Sequence, residues 1–444
     1  MNVRIPAKGA VSLLVKRYAG PFWLRRRWLN KTQWLSTAEL EALQLALLQK
    51  LVRHCHISVP YYRAVMDGHG INPKDIRCFE DFKRFPILTK QQVLQAGDSL
   101  VSTRFPRWMM HKARTGGTTG TPLQIYRTLF SIGTEHAFVR RQWDWAGIDF
   151  SDRCAWIIAG RRVGSPDCTD GNLYAYDPFM RELTLSIYHL TPETARTYIE
   201  LINRYKVVAI VGISSAIYFL AKICSDADIS IKLKAVLTTS ENLSSLMRET
   251  ISTVFGCRVF DFYGAAERVC YIHTCEHGTY HIIPEYGLTE LIPVGGTTSR
   301  ECRIVGTGFW NLAMPLLRYD TGDVVVLSDR LTCPCGRALP IVESISGRDV
   351  DVIKTLSGKQ YGPTIVARIL KEANNILESQ IIQDELDHIW VRYVPSGKFT
   401  DKDLVDFKQR LVHFLPTELR IDLQCAEAIP KTDSGKLKVI ISEI

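Results

Sequence analysis

The chain has 444 residues, with 55 Lys+Arg against 46 Asp+Glu and a formal net charge of +9. That length exceeds the roughly 250–300 residues at which one hydrophobic core stops growing, so at least two domains are expected. A content of 46% hydrophobic and 10% aromatic residues excludes disorder, and no apolar run approaches the roughly 18–20 residues that cross a bilayer.

The first residues carry Arg4, Lys8, Lys16 and Arg17 around an apolar stretch, 11–15, that is too short for a secretory signal and precedes no small-residue cleavage site. The reading is a cytoplasmic protein. Its 12 cysteines are scattered through an enzyme-sized chain, which favours reduced, buried or metal-bound thiols over a disulfide framework. Next comes a tryptophan- and arginine-rich stretch: Phe22, Trp23, Arg25, Arg26, Arg27, Trp28 and Trp34. Cations beside aromatics suit peripheral contact with an anionic membrane; the reading preferred here is a solvated basic face with the aromatics packed beneath it. Ser36 and Glu39 have capping-box spacing, and Leu40, Leu43, Leu47 and Leu51 then recur at helical period, so a core-facing helix follows.

Thr115-Gly116-Gly117-Thr118-Thr119-Gly120-Thr121-Pro122 is the strongest local signal. Its glycines let backbone approach a polyanion, and its amides and hydroxyls are the donors that phosphate oxygens need. No Gly-Lys-Ser/Thr ending makes it a Walker A motif, and a plain glycine-rich turn stays open. In the middle of the chain 207–211, 235–239 and 259–262 read as strands, alternating with helices near 217–223 and 243–255. This βαβ punctuation predicts an α/β fold with mostly parallel sheets flanked by helices, whose ligands gather at strand carboxyl ends, where Tyr263 and Gly264 fall. After Gly347 the pattern becomes α+β: Ile389, Val391 and Tyr393 alternate, Leu404, Phe407, Leu411 and Phe414 share a helix face, and Ile421, Leu423 and Cys425 alternate again. The expected domains are 1–347, large, and 348–444, small.

Four further segments stand downstream of the glycine-threonine loop. Tyr263-Gly264-Ala265-Ala266-Glu267 sets a ring suited to stacking near a carboxylate suited to magnesium. Arg318-Tyr319-Asp320-Thr321-Gly322-Asp323 offers Asp323 to ribose hydroxyls. Gly347-Arg348 marks the domain boundary, and Pro430-Lys431-Thr432-Asp433-Ser434-Gly435-Lys436 lies near the end. In this order they resemble the adenylate-forming superfamily of acyl-CoA synthetases, and more narrowly the branch of phenylacetate-CoA ligase and the CapK-like proteins of capsule biosynthesis, from about Tyr61 onward.

The resemblance implies a large domain with a small mobile C-terminal lid, ATP and magnesium as cofactors, and coenzyme A as co-substrate. It assigns Thr115 to Thr121 to the β- and γ-phosphates, Tyr263 to adenine, Glu267 to magnesium and Asp323 to the ribose. Arg348 would contact the nucleotide from the hinge, and Lys436 would bridge the attacking carboxylate and the α-phosphate. Ser240 and Glu241 match a nucleotide-lining segment more loosely. Two positions depart from the pattern. Ala266 stands where a threonine hydroxyl often reaches the α-phosphate, and Val350, between Asp349 and Asp351, stands where the hinge often has an acidic or lysine residue.

Cys333-Pro334-Cys335-Gly336 is a tight knuckle, and Cys275 and His281 flank a turn at Gly278, so the four would give the closed Cys₃His set of structural zinc. The phenylacetate-CoA ligase branch often carries such a set. Cys270, His273 and His277 compete as ligands, and buried reduced cysteines are the alternative; His54, Cys55 and His56 point to different helix faces and are read as structural.

The implied activity is adenylation of a carboxylic acid with pyrophosphate release, then acyl transfer to a thiol, coenzyme A first, with a carrier protein or a sugar acceptor as the variant. A zinc-containing nucleic-acid-binding protein finds support only in the 25–34 stretch, far from the cysteines, so no nucleic acid is expected. An inactive family member would explain Ala266 and Val350 but not Lys436, Glu267 and Asp323. The acid and a homodimeric state are left open; His111 and His136 are unranked pocket candidates.

Overall fold

The computed structural model describes residues 3–4, 15, 17–18, 20–115, 122–158, 173–294, 299–348, 353–357, 360–361, 373, 375–432 and 437–444. The chain forms two compact units: Met1–Pro6 with Ile148–Asp261 and Ser346–Ile444, and Ala7–Gly147 with Phe262–Ile345.

In the first unit the strands Glu182–Ser186, Cys154–Ile158, Ala209–Ile213 and Ala235–Thr239 lie side by side in that order, all parallel. Tyr174–Asp177 adds an antiparallel strand beside Glu182–Ser186 and pairs in turn with Val3–Arg4. Every residue of Ala209–Ile213 is buried, as expected where a parallel strand is covered on both faces. The helices Ser214–Asp226 and Ser245–Phe255 make the crossovers predicted from sequence. Ser244 caps the second by accepting from the Met247 amide, and Gly256, in the left-handed region at φ 59°, ends it.

The last part of the first unit is a separate four-stranded sheet. Ile376–Glu385 and His388–Pro395 form a hairpin, Arg420–Cys425 runs parallel to the second strand, and Ile440–Ser442 parallel to the first. The helix Asp401–Phe414 starts at a Thr400/Asp403 capping box and buries Phe407 and Leu411 against Ile389, Val391 and Tyr393. Leu377, Val394 and Ile429 of this part share a core with Ile210, Ile217 and Val236 of the parallel part.

The second unit has an antiparallel sheet, a feature absent from the sequence reading. Tyr271–Thr274 pairs with the end of Arg258–Gly264 and with Tyr280–Ile282, which pairs in turn with Ile341–Arg348; beyond it lie Tyr319–Leu327, Glu301–Gly308 and, at the edge, Gly287–Pro293. The helix Thr37–Ser58 begins at the expected Ser36/Glu39 capping box and buries Leu40 and Leu51, with Leu43 and Leu47 half-buried. In the helix Phe22–Thr32, Phe22 and Leu29 are fully buried. The Arg25 guanidinium lies 3.7 Å from the Trp310 ring centroid, and Arg26 bonds Asp144 at 2.9 Å. Packing therefore accounts for Arg25 and Arg26, while Trp23 and Trp34 stay exposed. Among the described residues no helix is long and apolar enough to cross a membrane.

Close approach of backbone positions the segment after Glu267. A Cβ on Gly308 would lie 1.9 Å from the Arg268 carbonyl oxygen, and one on its cross-strand partner Gly287 would lie 2.7 Å from that of Val269. Glycine is required there because the 268–269 backbone rests directly on these strands. Gly308→Ala is expected to push that segment away and to lower stability by about 1–3 kcal/mol, read as a lower urea midpoint at unchanged m-value.

Candidate functional site

The glycine-threonine loop sits on a hairpin. Met110–Arg114 and Gln124–Thr128 pair antiparallel, and the base is closed by the Thr115 amide donating to the Leu123 carbonyl at 3.0 Å and the Leu123 amide donating to Thr115 Oγ1 at 2.8 Å. Gly116, Gly117, Thr118, Thr119, Gly120 and Thr121 lie outside the described residues. Thr128, at the hairpin's end, caps the helix Leu129–Trp145 by accepting from the Ser131 amide.

Two separate segments of the second unit, 263–267 and 319–323, are joined by side-chain bonds. The Tyr263 hydroxyl donates to Asp323 Oδ2 at 2.6 Å. Gly322, at φ 72°, makes the turn that presents Asp323, and the Gly322 and Asp323 amides are held by Asp320 Oδ1 at 3.0 Å and Thr321 Oγ1 at 3.1 Å. The Tyr319 hydroxyl donates to Glu267 Oε1 at 3.1 Å. Gly264 ends its strand and is exposed. The arrangement thus offers a half-buried ring for stacking, a carboxylate at its hydroxyl, and a second carboxylate suited to a divalent cation.

Sequence reading missed several participants. Arg127, on the hairpin's second strand, donates to the Ala266 carbonyl. Arg268 donates to the Ser131 carbonyl at 3.0 Å, and Glu135, which accepts from the Tyr286 hydroxyl at 2.6 Å, lies 3.5 Å from it. Tyr319 was quoted in its motif without a role and Arg268 directly follows a quoted one; Arg127 had no signal, because a single basic residue on a strand has no spacing to read. Arg318, also quoted, is structural: it bonds Glu290 and the carbonyls of Lys83 and Phe85. Burial, with Arg17 and Arg268 nearby, pushes His136 down to about 3, so this imidazole is neutral at physiological pH.

In the first unit Ser240 directly follows the strand Ala235–Thr239 and takes a left-handed φ of 73°. Glu241 accepts the Ser215 amide at 3.1 Å and the Leu437 amide at 2.7 Å. Burial raises its carboxyl above the usual range, against the lowering effect of these bonds. The Arg348 side chain and Lys436 lie outside the described residues, as do Asp349, Val350 and Asp351.

Cys275, His281, Cys333 and Cys335 come together, all buried, with ligand atoms within 4.8 Å of one another. Cys275 Sγ is 3.6 Å from Cys333 Sγ, and Cys335 Sγ is 3.5 Å from His281 Nε2. Tetrahedral zinc with ordinary bond lengths needs about 3.8 Å between sulfurs and about 3.5 Å from sulfur to nitrogen, so these residues fit the ion. His281 Nδ1 faces the Leu339 carbonyl at 3.2 Å, which turns Nε2 toward the sulfurs. Burial pushes His281 down to about 4, leaving it neutral and able to ligate. The competing Cys270, His273 and His277 are not part of this cluster.

Comparison with known proteins finds similar sequences and a similar fold. Residues 355–443 match the CapK C-terminal domain family. Protein CapK of Staphylococcus aureus is 22% identical over 447 residues, covering 100% of this chain and 97% of that protein. The phenylacetate-coenzyme A ligase of Aromatoleum evansii is 25% identical over 370 residues, 79% of this chain and 80% of its own length; that of Thermus thermophilus is 26% identical over 357 residues, 76% of each. Among solved structures, 2-hydroxyisobutyryl-CoA ligase in the postadenylation state with 2-HIB-AMP superposes with a TM-score of 0.70 at 19% identity, over 100% of this chain and 94% of that one. The chain is a homologue of CapK and of the phenylacetate-CoA ligases, built on the fold of the adenylate-forming CoA ligases and carrying a CapK C-terminal domain.

Proposed function

We propose that the chain uses ATP to activate a carboxylic acid as its acyl-adenylate, releasing pyrophosphate, and then passes the acyl group to a thiol, coenzyme A. The Tyr263–Asp323 hydrogen bond carries this reading, because it joins residues 60 apart in sequence into a ring-and-carboxylate pair suited to a nucleoside. Relatives named for ligating an acid to coenzyme A, and a similarly folded ligase holding an acyl-AMP, support it.

A carboxylate is a poor electrophile until a good leaving group is attached, and crowding charge on phosphate calls for oriented amides and cations. In this reading Thr115 and the loop 116–121 supply amides and hydroxyls to the outer phosphates. Tyr263 and Gly264 face the base, Asp323 holds the ribose, and Ser240 and Glu241 line the nucleotide. Lys436 bridges the attacking carboxylate and the α-phosphate, with Arg348 contacting the nucleotide. Magnesium held by Glu267 would supply charge neutralisation. Lys436 serves adenylation and would obstruct thiol attack, so residues 348–444 act as a lid that turns away from the large domain 1–347 between steps. The second reading keeps adenylation but sends the acyl group to a carrier protein or a sugar in capsule or exopolysaccharide assembly; in its support, the relative matched over the whole chain, Protein CapK, is not named for coenzyme A.

A pyrophosphate-release screen over aryl, fatty, amino and hydroxy acids, with and without coenzyme A, is expected to show acid-dependent pyrophosphate and AMP. Thioester formed with coenzyme A separates the first reading from the second, and no acid-dependent release in any arm overturns both. Lys436→Ala should slow pyrophosphate release by roughly 10²–10³-fold while leaving thioester formation from premade acyl-adenylate nearly intact; equal loss of both steps removes the lysine from the first. The Cys₃His cluster is assigned to structural zinc, with every coordination position filled by protein. Metal analysis should find stoichiometric zinc in the purified protein, and Cys335→Ser should lose it and lower Tm by roughly 5 °C or more; zinc-free, equally stable protein disposes of the site.

A further inference from the structure

We propose that Arg127 donates directly to the α-phosphate of the nucleotide, a charged contact on the face of Ala266 where this chain has no side-chain hydroxyl. The inference rests on the adenylation reading and names a residue that no motif in the sequence marks.

Four observations in the second unit lead to it. Arg127 reaches from the strand Gln124–Thr128 to the Ala266 carbonyl, which places its guanidinium one residue before Glu267 and three after Tyr263. Its Nε is buried and has no hydrogen-bond partner among the described residues. A guanidinium has five N–H donors and no way to lose its charge, so a buried donor left unmet marks a missing acceptor. Third, no carboxylate forms an ion pair with Arg127 among the described residues. The carboxylates whose charge it feels, Glu135 and Glu267, bond other groups: Glu135 the Tyr286 hydroxyl, with Arg268 at 3.5 Å, and Glu267 the Tyr319 hydroxyl. Fourth, burial and the like charge of Arg268 push Arg127 down to about 10, against the opposing pull of Glu135, Tyr286 and Glu267; it stays protonated at neutral pH, buried beside another cation.

Position then selects the phosphate. In the adenylation reading Tyr263 and Asp323 take the base and ribose, and Arg127 bonds the same segment three residues on, at Ala266, which makes the first phosphate after the ribose the group it is proposed to meet. In adenylation a carboxylate oxygen bonds to the α-phosphorus while the bond to the β-phosphate oxygen breaks and pyrophosphate leaves with the electron pair. Charge gathers on the α-phosphate oxygens, which a planar, multi-donor cation stabilises better than an ammonium point charge.

The test is calorimetric titration of adenosine, AMP and MgATP into the wild type, Arg127→Gln, Arg127→Lys and the double variant Arg127→Gln with Ala266→Thr. Gln keeps a donor for the Ala266 carbonyl while removing the charge. Expected are a loss of about tenfold or more in AMP and MgATP affinity for Gln, a smaller loss for Lys, and unchanged adenosine affinity. Partial recovery of AMP affinity is expected in the double variant, since a hydroxyl at 266 replaces the donor. Equal losses for adenosine and AMP would reduce Arg127 to a prop for the backbone. Unchanged AMP binding overturns the proposal, as does a loss confined to MgATP, which would move the contact to the outer phosphates. A wild type that binds none of the three ligands removes the adenylation reading itself, whereas a wild type that binds while the Gln variant binds equally removes only Arg127's role.

Discussion

A tyrosine hydroxyl donating a hydrogen bond to a carboxylate ties together the candidate site of the second unit. The Tyr263–Asp323 bond ties the end of one strand to the turn of another, and neither partner is placed by local sequence alone. The segment that follows Glu267 depends in turn on a glycine-permitted contact: with side chains at Gly287 and Gly308, the backbone at 268–269 could not rest where it does. Charge-assisted bonds of this kind are strong only when pre-arranged, and the sheet performs that arrangement.

Much of the fold was readable because its signals are local. Ser36 with Glu39 opens a helix by satisfying its end amides, and the pair is visible within a few letters. The fully apolar strand Ala209–Ile213 announces a two-faced parallel sheet for the same reason. The antiparallel sheet was not readable, since Gly287–Pro293 and Tyr319–Leu327 mix buried and half-exposed residues without clean alternation. Their pairing is set by contacts between distant segments.

The site divides along the same line. Tyr263, Glu267 and Asp323 were found as ordered motifs, and the four zinc candidates as a knuckle plus a distant pair, because thiols and imidazoles are few enough to be matched by eye. Arg127 and Tyr286 were not found, and Tyr319 was quoted without a role, for their contacts come from what lies opposite them in space. The tryptophan- and arginine-rich opening shows the reverse error that composition invites: Arg25 and Arg26 look like a surface patch in a string of letters, yet one stacks on Trp310 and the other bonds Asp144.

Glu241 holds the amide of Leu437, the residue immediately after Lys436, through main-chain hydrogen alone. Such a grip ignores side-chain identity. Evolutionary drift at position 437 can therefore exchange one residue for another of similar bulk without loosening the tether; the substitution it forbids is proline, whose ring nitrogen has no hydrogen to give.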